Sequence, residues 1–331
     1  MLPHTLDLAK GVLQGSRVCL SRAVTLVESS NPQHEIQAEL LLDYVLNNRD
    51  KSVPPAFRLG ITGPPGAGKS TFIEALGTQL TLTKKLAVVA IDPSSTRTHG
   101  SILGDKTRMT VLSANPKCFV RPSPSRGYLG GVCEHTNDVC LLCECAGFDT
   151  IIVETVGLGQ SEVQVDEVVD MLVLLVPPAN GDELQGIKKG VMEVADMVVV
   201  NKADGATAAL ANHAVVDYSH AFQLARRKRP DWRPRVKKCS SLPENPDDSV
   251  AMVWKVVEKF QNTMQADITR KRITQSNKWM WSEFHNQLRR VANEKMERNE
   301  LVGDLERKLT ESQVSPRLAG KLLLQKFLTQ Q

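Results

Sequence analysis

The spacing of apolar positions changes twice along the chain. Residues 1–50 carry apolar side chains at helical intervals and no strand-like run. Leu6, Leu8 and Val12 begin the pattern, and AELLLDYVL (38–46), after the break at Pro32, is its clearest stretch. KSVPP (51–55) reads as a linker. From 56 to about 242, short continuous apolar runs alternate with helical stretches. The runs are FRLGIT (57–62), KLAVVAID (85–92), TIIVET (150–155), MLVLLV (171–176) and MVVVNK (197–202), with the strand-like RVKKC behind them. Runs that are apolar at successive rather than alternate positions belong to strands buried on both faces. Their alternation with helices predicts an α/β fold with a parallel sheet covered on both sides. After PENPDD (243–248) every segment looks helical again, and Ser315-Pro316 supplies a cap and a first-turn proline for the last helix. The expected organisation is an N-terminal helical extension (1–55), an α/β domain (56–244) and a C-terminal helical region (245–331).

Composition acts mainly by exclusion. With 331 residues, 41% hydrophobic and 24% charged, the chain has the make-up of a soluble globular protein. Its 41 basic and 37 acidic residues give +4, too mild a balance to argue for nucleic acid. The longest apolar run, MLVLLVPPA (171–179), is broken by two prolines, so no membrane span is expected. MLPHTLDLAKGVLQGSR lacks the charged start and apolar core of a secretory signal, and its Asp7 makes it a poor mitochondrial presequence. Seven cysteines, an odd number, fit a reducing compartment better than a disulfide framework.

The chemistry enters at GPPGAGKS (63–70), which matches G-x-x-x-x-G-K-[ST] between a predicted strand and the helix TFIEALGTQL. Glycines let backbone N–H groups wrap phosphates, and the helix N-terminus adds partial positive charge. Lys69 is expected to reach the β- and γ-phosphates of a nucleotide and Ser70 to bind Mg²⁺. A glycine turn before a buried helix is the bland alternative. NKAD (201–204) ends a predicted strand, where loops of an open α/β sheet meet ligands. Asp204 can accept from N1–H and the 2-amino group of guanine, which adenine lacks. Asn201 can pair with the opposite edge while the Lys202 stem covers the face. Ser240, Ser241 and Leu242, after the strand-like RVKKC, stand where a last base-contacting loop belongs. Asp92 and Glu154, at the tips of two strands, are candidates for Mg²⁺, directly or through water, or for strand-end capping. Between them RTHGSILGDKTRM (97–109), with Asp105, Lys106 and Arg108, reads as a switch loop or as an ordinary surface loop.

Two other segments invite rival readings. CLLCEC (140–145) places Cys140 and Cys143 on one helical face, as a metal site would in a metallochaperone-type GTPase that delivers a metal to another enzyme, with His135 a further candidate ligand. Buried thiols packing as small hydrophobes and an exposed polar His135 are the alternative. ARRKRPDWRPRVKK (225–238) is dense in basic residues and reads as a solvated helix end, with a nucleic-acid or acidic-partner surface as the alternative. A small-molecule kinase, which shares the phosphate loop, is the remaining enzyme rival, although kinases rarely need the guanine selectivity that NKAD supplies.

The run DPSS…GSILGDKTRM…RPSPSRGYLGGV…ETVGLGQSE…PPANGDELQGIKKG…NKADG closely resembles the MeaB/ArgK family over nearly the whole chain, KWMW (278–281) included. The resemblance implies a P-loop GTPase domain of the SIMIBI class flanked by helical extensions, binding GTP or GDP with Mg²⁺. It further implies a homodimer that chaperones adenosylcobalamin-dependent methylmalonyl-CoA mutase, gating cofactor delivery and protecting or reactivating the enzyme. Carried over by position, the nucleotide site is Thr62, Gly63, Pro64, Pro65, Gly66, Ala67, Gly68, Lys69, Ser70 and Thr71. The metal and switch acids are Asp92, Asp105 and Glu154, and the guanine readers are Asn201, Lys202 and Asp204. NGDELQGIKKG (180–190) resembles an additional switch, with Lys188 a transition-state cation, although helix-dipole complementarity alone also favours its early acids and late lysines. Thr96-Arg97-Thr98-His99 departs from a smaller, glycine-containing stretch, and Ser241 stands where alanine is commoner. A Ras-type GTPase carries a glutamine directly after the glycine, but here Leu158 follows Gly157 and Gln160 comes later. Slow hydrolysis in isolation is therefore expected, with Lys69, Mg²⁺ and a repositioned Lys188 or Gln160 completing catalysis in a partner complex. The expected compartment is the mitochondrial matrix for a eukaryotic chain and the cytoplasm for a bacterial one.

Overall fold

Seven parallel strands form one sheet in the order β3-β2-β4-β1-β5-β6-β7. The structure, a computed structural model, describes residues 1–93, 109–125, 135–155, 164–178, 189–224, 228–241, 249–296 and 299–329, with the side chains of 92–93, 124–125 and 189 outside that description. The strands are β1 (Phe57–Thr62), β2 (Leu86–Pro93), β3 (Cys118–Ser125), β4 (Thr150–Glu154), β5 (Met171–Val176), β6 (Met197–Val200) and β7 (Arg235–Lys238). All five apolar runs read from the sequence are strands. Every residue of β1, β4, β5 and β6 is buried, as strands covered on both faces require.

Strand β3 has no counterpart among the expected strands. Its Pro122 and Pro124 break the pattern because proline cannot donate to a ladder, and they are tolerated because β3 is the edge strand. Three N-terminal helices lie in the same compact unit as the sheet: α1 (Pro3–Leu13), α2 (Arg17–Val27) and α3 (Pro32–Asn48). They pack on α6 (Thr136–Cys145). Glu28, at the end of α2, accepts hydrogen bonds from Arg121 and from Ser123 (2.6 Å), both on the edge strand, and Arg17 donates to Asn115 O (3.1 Å).

One face of the sheet is covered by α4 (Lys69–Leu80), α5 (Thr110–Ala114) and α9 (Val250–Thr263). Phe72, Ile73, Leu76, Leu112, Val253, Val257 and Phe260 meet Leu59, Ile61, Val88, Ile152 and Val173 there. On the other face α7 (Lys189–Val194) and α8 (Ala208–Leu224) pack on β5 and β6 through Val191, Ala211, Ala214 and Tyr218. The first unit runs Met1–Ile268 and the second Thr269–Gln331. Helix α10 (Gln265–Met296) begins in the first; α11 (Glu300–Thr310) and α12 (Pro316–Thr329) belong to the second. Ser315 caps α12 by accepting from Leu318 N at 3.2 Å, as its sequence predicts. Among the described residues no helix is long and apolar enough to cross a membrane.

Candidate nucleotide site

Because the sheet is parallel, all strand C-termini open on one side, where open α/β sheets bind ligands. Register decides which side chains meet there. Ile61 and Ala90 both pair with Glu154, so the ends of β1, β2 and β4 lie together, while Thr62 pairs with Leu174 on β5. The chain leaves β1 through Gly63 (φ 150°), where a Cβ would sit 1.9 Å from Leu175 O; only glycine fits that approach. Pro64 O accepts from Ala67 N (3.2 Å), and Gly68 (φ 85°) starts α4. Pro65 and Gly66 form the exposed tip of the loop, and Thr71 is exposed in the first turn of α4.

Lys69 is buried and its Nζ donates to Gly63 O (2.8 Å) and Pro64 O (3.3 Å), folding the ammonium back over the loop. Ser70 Oγ donates to Glu154 Oε1 at 3.0 Å. These two hard oxygen donors, predicted as metal ligands from segments far apart in sequence, are thus in contact. A hydroxyl and a carboxylate at the mouth of a phosphate loop are a donor set suited to Mg²⁺. Thr155 Oγ1 donates to Thr62 Oγ1 (2.9 Å), locking the ends of β4 and β1 beneath the loop. Asp92 lies in β2 with its side chain outside the described set, and Asp105, Gln160, Lys188 and Leu242 lie outside the described residues.

At the other end of the site, Asn201 and Asp204 leave β6 and meet the residues after β7. Asn201 Nδ2 donates to Ala67 O (2.9 Å), tying the NKAD segment to the phosphate loop. Ser240 Oγ donates to Asp204, and Ser241 Oγ to Asn201 Oδ1 (2.8 Å). Lys202 is exposed and takes a left-handed conformation (φ 59°), with Thr207 Oγ1 donating to its carbonyl and to Asp204 O (2.8 Å). Ala203 N donates to Cys239 O (3.1 Å). The residues read as base-contacting from NKAD and from Ser240-Ser241 therefore form one connected group.

The structure corrects one expectation outright. The basic run 225–238 is not simply a solvated helix end, because Arg229 and Trp232 are buried and Lys228 is largely enclosed. Lys228 Nζ donates to Asp166 (2.8 Å), Asp196 (3.0 Å) and Val194 O. Arg229 donates to Asp196 (2.9 Å), Asp267 and Asp170 O (2.9 Å), and its guanidinium lies 5.1 Å from the Phe260 ring centre. Burial works to lower the Arg229 pKa, but Asp196, Asp267 and Asp166 outweigh it and the shift is upward. A second buried arginine, Arg58, donates to Glu144 (2.8 Å) and Asn137 (2.8 Å), while its backbone N donates to Asp170 Oδ2 (2.8 Å). No motif signalled these hubs. Their only trace in the sequence is charge inside apolar runs, such as Arg58 within FRLGIT. Glu74 was missed for the same reason: its carboxylate accepts from Val111 N (2.7 Å) and so fixes α5 against α4.

Cys140, Cys143 and Cys145 are buried, and burial raises the Cys143 thiol well above its usual range and Cys145 to about 11. Thiols in such surroundings are poor metal ligands, since binding requires the thiolate. Among the described residues no three His, Cys, Asp or Glu side chains are grouped to hold a metal ion.

Residues 20–297 match the family described as methylmalonyl Co-A mutase-associated GTPase MeaB. The chain is 43% identical to the mitochondrial methylmalonic aciduria type A homolog of Mus musculus over 96% of its own length and 78% of that protein's. It is 43% identical to a putative GTPase of Caulobacter vibrioides, covering 96% and 95% of the two chains. A solved structure described as a LAO/AO transport system kinase superposes with TM-score 0.74 at 32% identity over 99% of both chains. With its phosphate loop intact and a seven-stranded parallel sheet behind it, the chain belongs to the MeaB family of P-loop GTPases.

Proposed function

We propose that this GTPase is a nucleotide-gated chaperone of adenosylcobalamin-dependent methylmalonyl-CoA mutase, controlling cofactor loading and protecting or reactivating the mutase. The observation that carries this reading is the match of residues 20–297 to a family described by its association with that enzyme. In the proposed cycle the phosphate loop, Thr62 to Thr71, holds GTP or GDP, and Lys69 exchanges the carbonyls of Gly63 and Pro64 for phosphate oxygens. Mg²⁺ when bound supplies neutralising charge to the β- and γ-phosphates, and Ser70 and Glu154, aided by Asp92 or Asp105, are the residues that would hold it. Asn201, Lys202 and Asp204, backed by Ser240 to Leu242, select guanine. Gln160 or Lys188 would complete the transition-state charge once the mutase is docked, so turnover is slow alone.

A homodimer through the C-terminal helices is part of the proposal. Along α10 the apolar side chains Ile273, Met280, Trp281, Phe284, Leu288 and Val291 recur at helical spacing and are exposed, a stripe that an isolated soluble unit rarely leaves bare. The proposed compartment is the mitochondrial matrix for a eukaryotic source and the cytoplasm for a bacterial one; the names of the mouse and Caenorhabditis relatives support the mitochondrial part of that reading. The test is GTP turnover by the purified protein with and without methylmalonyl-CoA mutase. Stimulation of about tenfold or more is expected. Unchanged turnover at saturating mutase would transfer the chaperone role to another client while leaving the GTPase intact.

A further inference from the structure

We infer that the side chain of Ser241 is a positioning residue for base recognition, its hydroxyl holding the Asn201 amide so that one N–H stays directed to the imidazole edge of guanine. The inference rests on the reading of Asn201 as a base reader. A carboxamide offers one oxygen acceptor and two N–H donors. In Asn201, 1% exposed, the oxygen accepts from Ser241 Oγ (2.8 Å) and one N–H goes to Ala67 O (2.9 Å), leaving the second N–H for a ligand. Each bond has a separate job. A flipped amide would set its oxygen against Ala67 O, two acceptors facing, so Ala67 fixes which atom is nitrogen. A single bond to Ala67 still lets the amide plane swing, and Ser241 closes that freedom from the opposite side.

The position gives this weight. Any base contact made through the backbone of this loop would be met by alanine at 241 as well as by serine. The hydroxyl is an addition, and it falls on the one buried acceptor of the reader. Neighbouring Ser240 reaches Asp204, so consecutive hydroxyls hold both polar readers from the far strand end. Asn201 is also wedged against the phosphate loop, where a Cβ on Gly68 would come within 2.7 Å of Nδ2.

The experiment compares the affinities of GTP and 7-deaza-GTP, which replaces the N7 acceptor by C–H, for the full chain and two variants. Wild type is expected to prefer GTP about tenfold, the range of one directed hydrogen bond. Ser241→Ala should shrink that preference to about twofold, mainly by losing GTP affinity, with the melting temperature lowered by a few degrees at most, because the buried Asn201 oxygen loses its donor. Ser241→Thr, which keeps the hydroxyl, should retain it and serves as the second reading if the alanine variant folds poorly. Equal losses for both nucleotides in Ser241→Ala, or a preference that survives it, would overturn the inference, as would loss of the preference in a well-folded Ser241→Thr. Wild type binding both nucleotides equally would also overturn it while leaving the GTPase reading in place. Wild type binding neither would sink the guanine site itself.

Discussion

The two ends of the nucleotide site are built on opposite plans. At the phosphate end the polar side chains are paired with one another or with the loop: Lys69 with the carbonyls of Gly63 and Pro64, Ser70 with Glu154. Those bonds occupy the donors that a triphosphate and its cation need, so ligand binding there is an exchange of partners. At the base end Asn201 and Asp204 are held by Ala67, Ser240 and Ser241, none of which must let go for the base to bind. Preorganised groups confer selectivity without reorganisation, whereas groups that exchange partners register what has bound. The base end is suited to choosing guanine in every state, and the phosphate end to distinguishing those states.

The largest effect is expected from Asp204→Asn. Replacing an acceptor by an amide removes the partner of N1–H and the 2-amino group and offers a donor to the C2 carbonyl of xanthine. GTP should lose, and XTP gain, so that the ratio of their affinities moves by about 10⁴-fold. Competition binding with labelled GTP reads this directly, and a ratio that moves less than tenfold would remove Asp204 from base recognition. Lys69→Ala is expected to lower turnover by roughly 10²–10³-fold, with GTP-over-ITP selectivity unchanged. If that selectivity collapsed as well, the two ends would not be separable.

How much of this was legible in the sequence follows from the kind of constraint at each residue. The phosphate loop was readable because its geometry excludes side chains: at Gly63 a Cβ meets Leu175 O, and no other residue type satisfies that position. The central strands were readable because burial on both faces forces continuous apolar runs. Strand β3 was not, since an edge tolerates the prolines that a central strand excludes. The pairing of Lys228 and Arg229 with Asp166, Asp196 and Asp267 spans dozens of residues, and a basic run looks the same in sequence whether water or carboxylates answer it. The role of the Ser241 hydroxyl is invisible in the sequence for a related reason. Its partner Asn201 lies 40 residues away, and only the sheet order that places β7 beside β6 brings them together.

Lys228 offers the finest test of the contrast, because its bonds go to the segments that follow the proposed switches, at the edge of the sheet opposite the strand ends that carry the site. Its ammonium joins Asp166, soon after the ETVGLGQ segment, to Val194 O and Asp196, at the end of α7. The chain just after the ETVGLGQ segment and the chain just after the proposed switch at 180–190 are thus fastened to one cation. Lys228→Met keeps the stem's packing and removes the charge. Asp196 retains Arg229 and the N–H of Leu172 (3.0 Å), so the carboxylate is not stranded. The cost should be small, about 1–2 kcal/mol, or roughly 2–4 °C in melting temperature per kcal/mol. The informative readout is the ratio of GTP to GDP affinity. It should shift severalfold in the variant, because the flanks it loosens follow segments proposed to sense the γ-phosphate, whereas the GTP to 7-deaza-GTP ratio should hold at the wild-type value. A change in the second ratio without the first would mean that the cation supports base recognition, and the division of labour between the two ends would have to be redrawn.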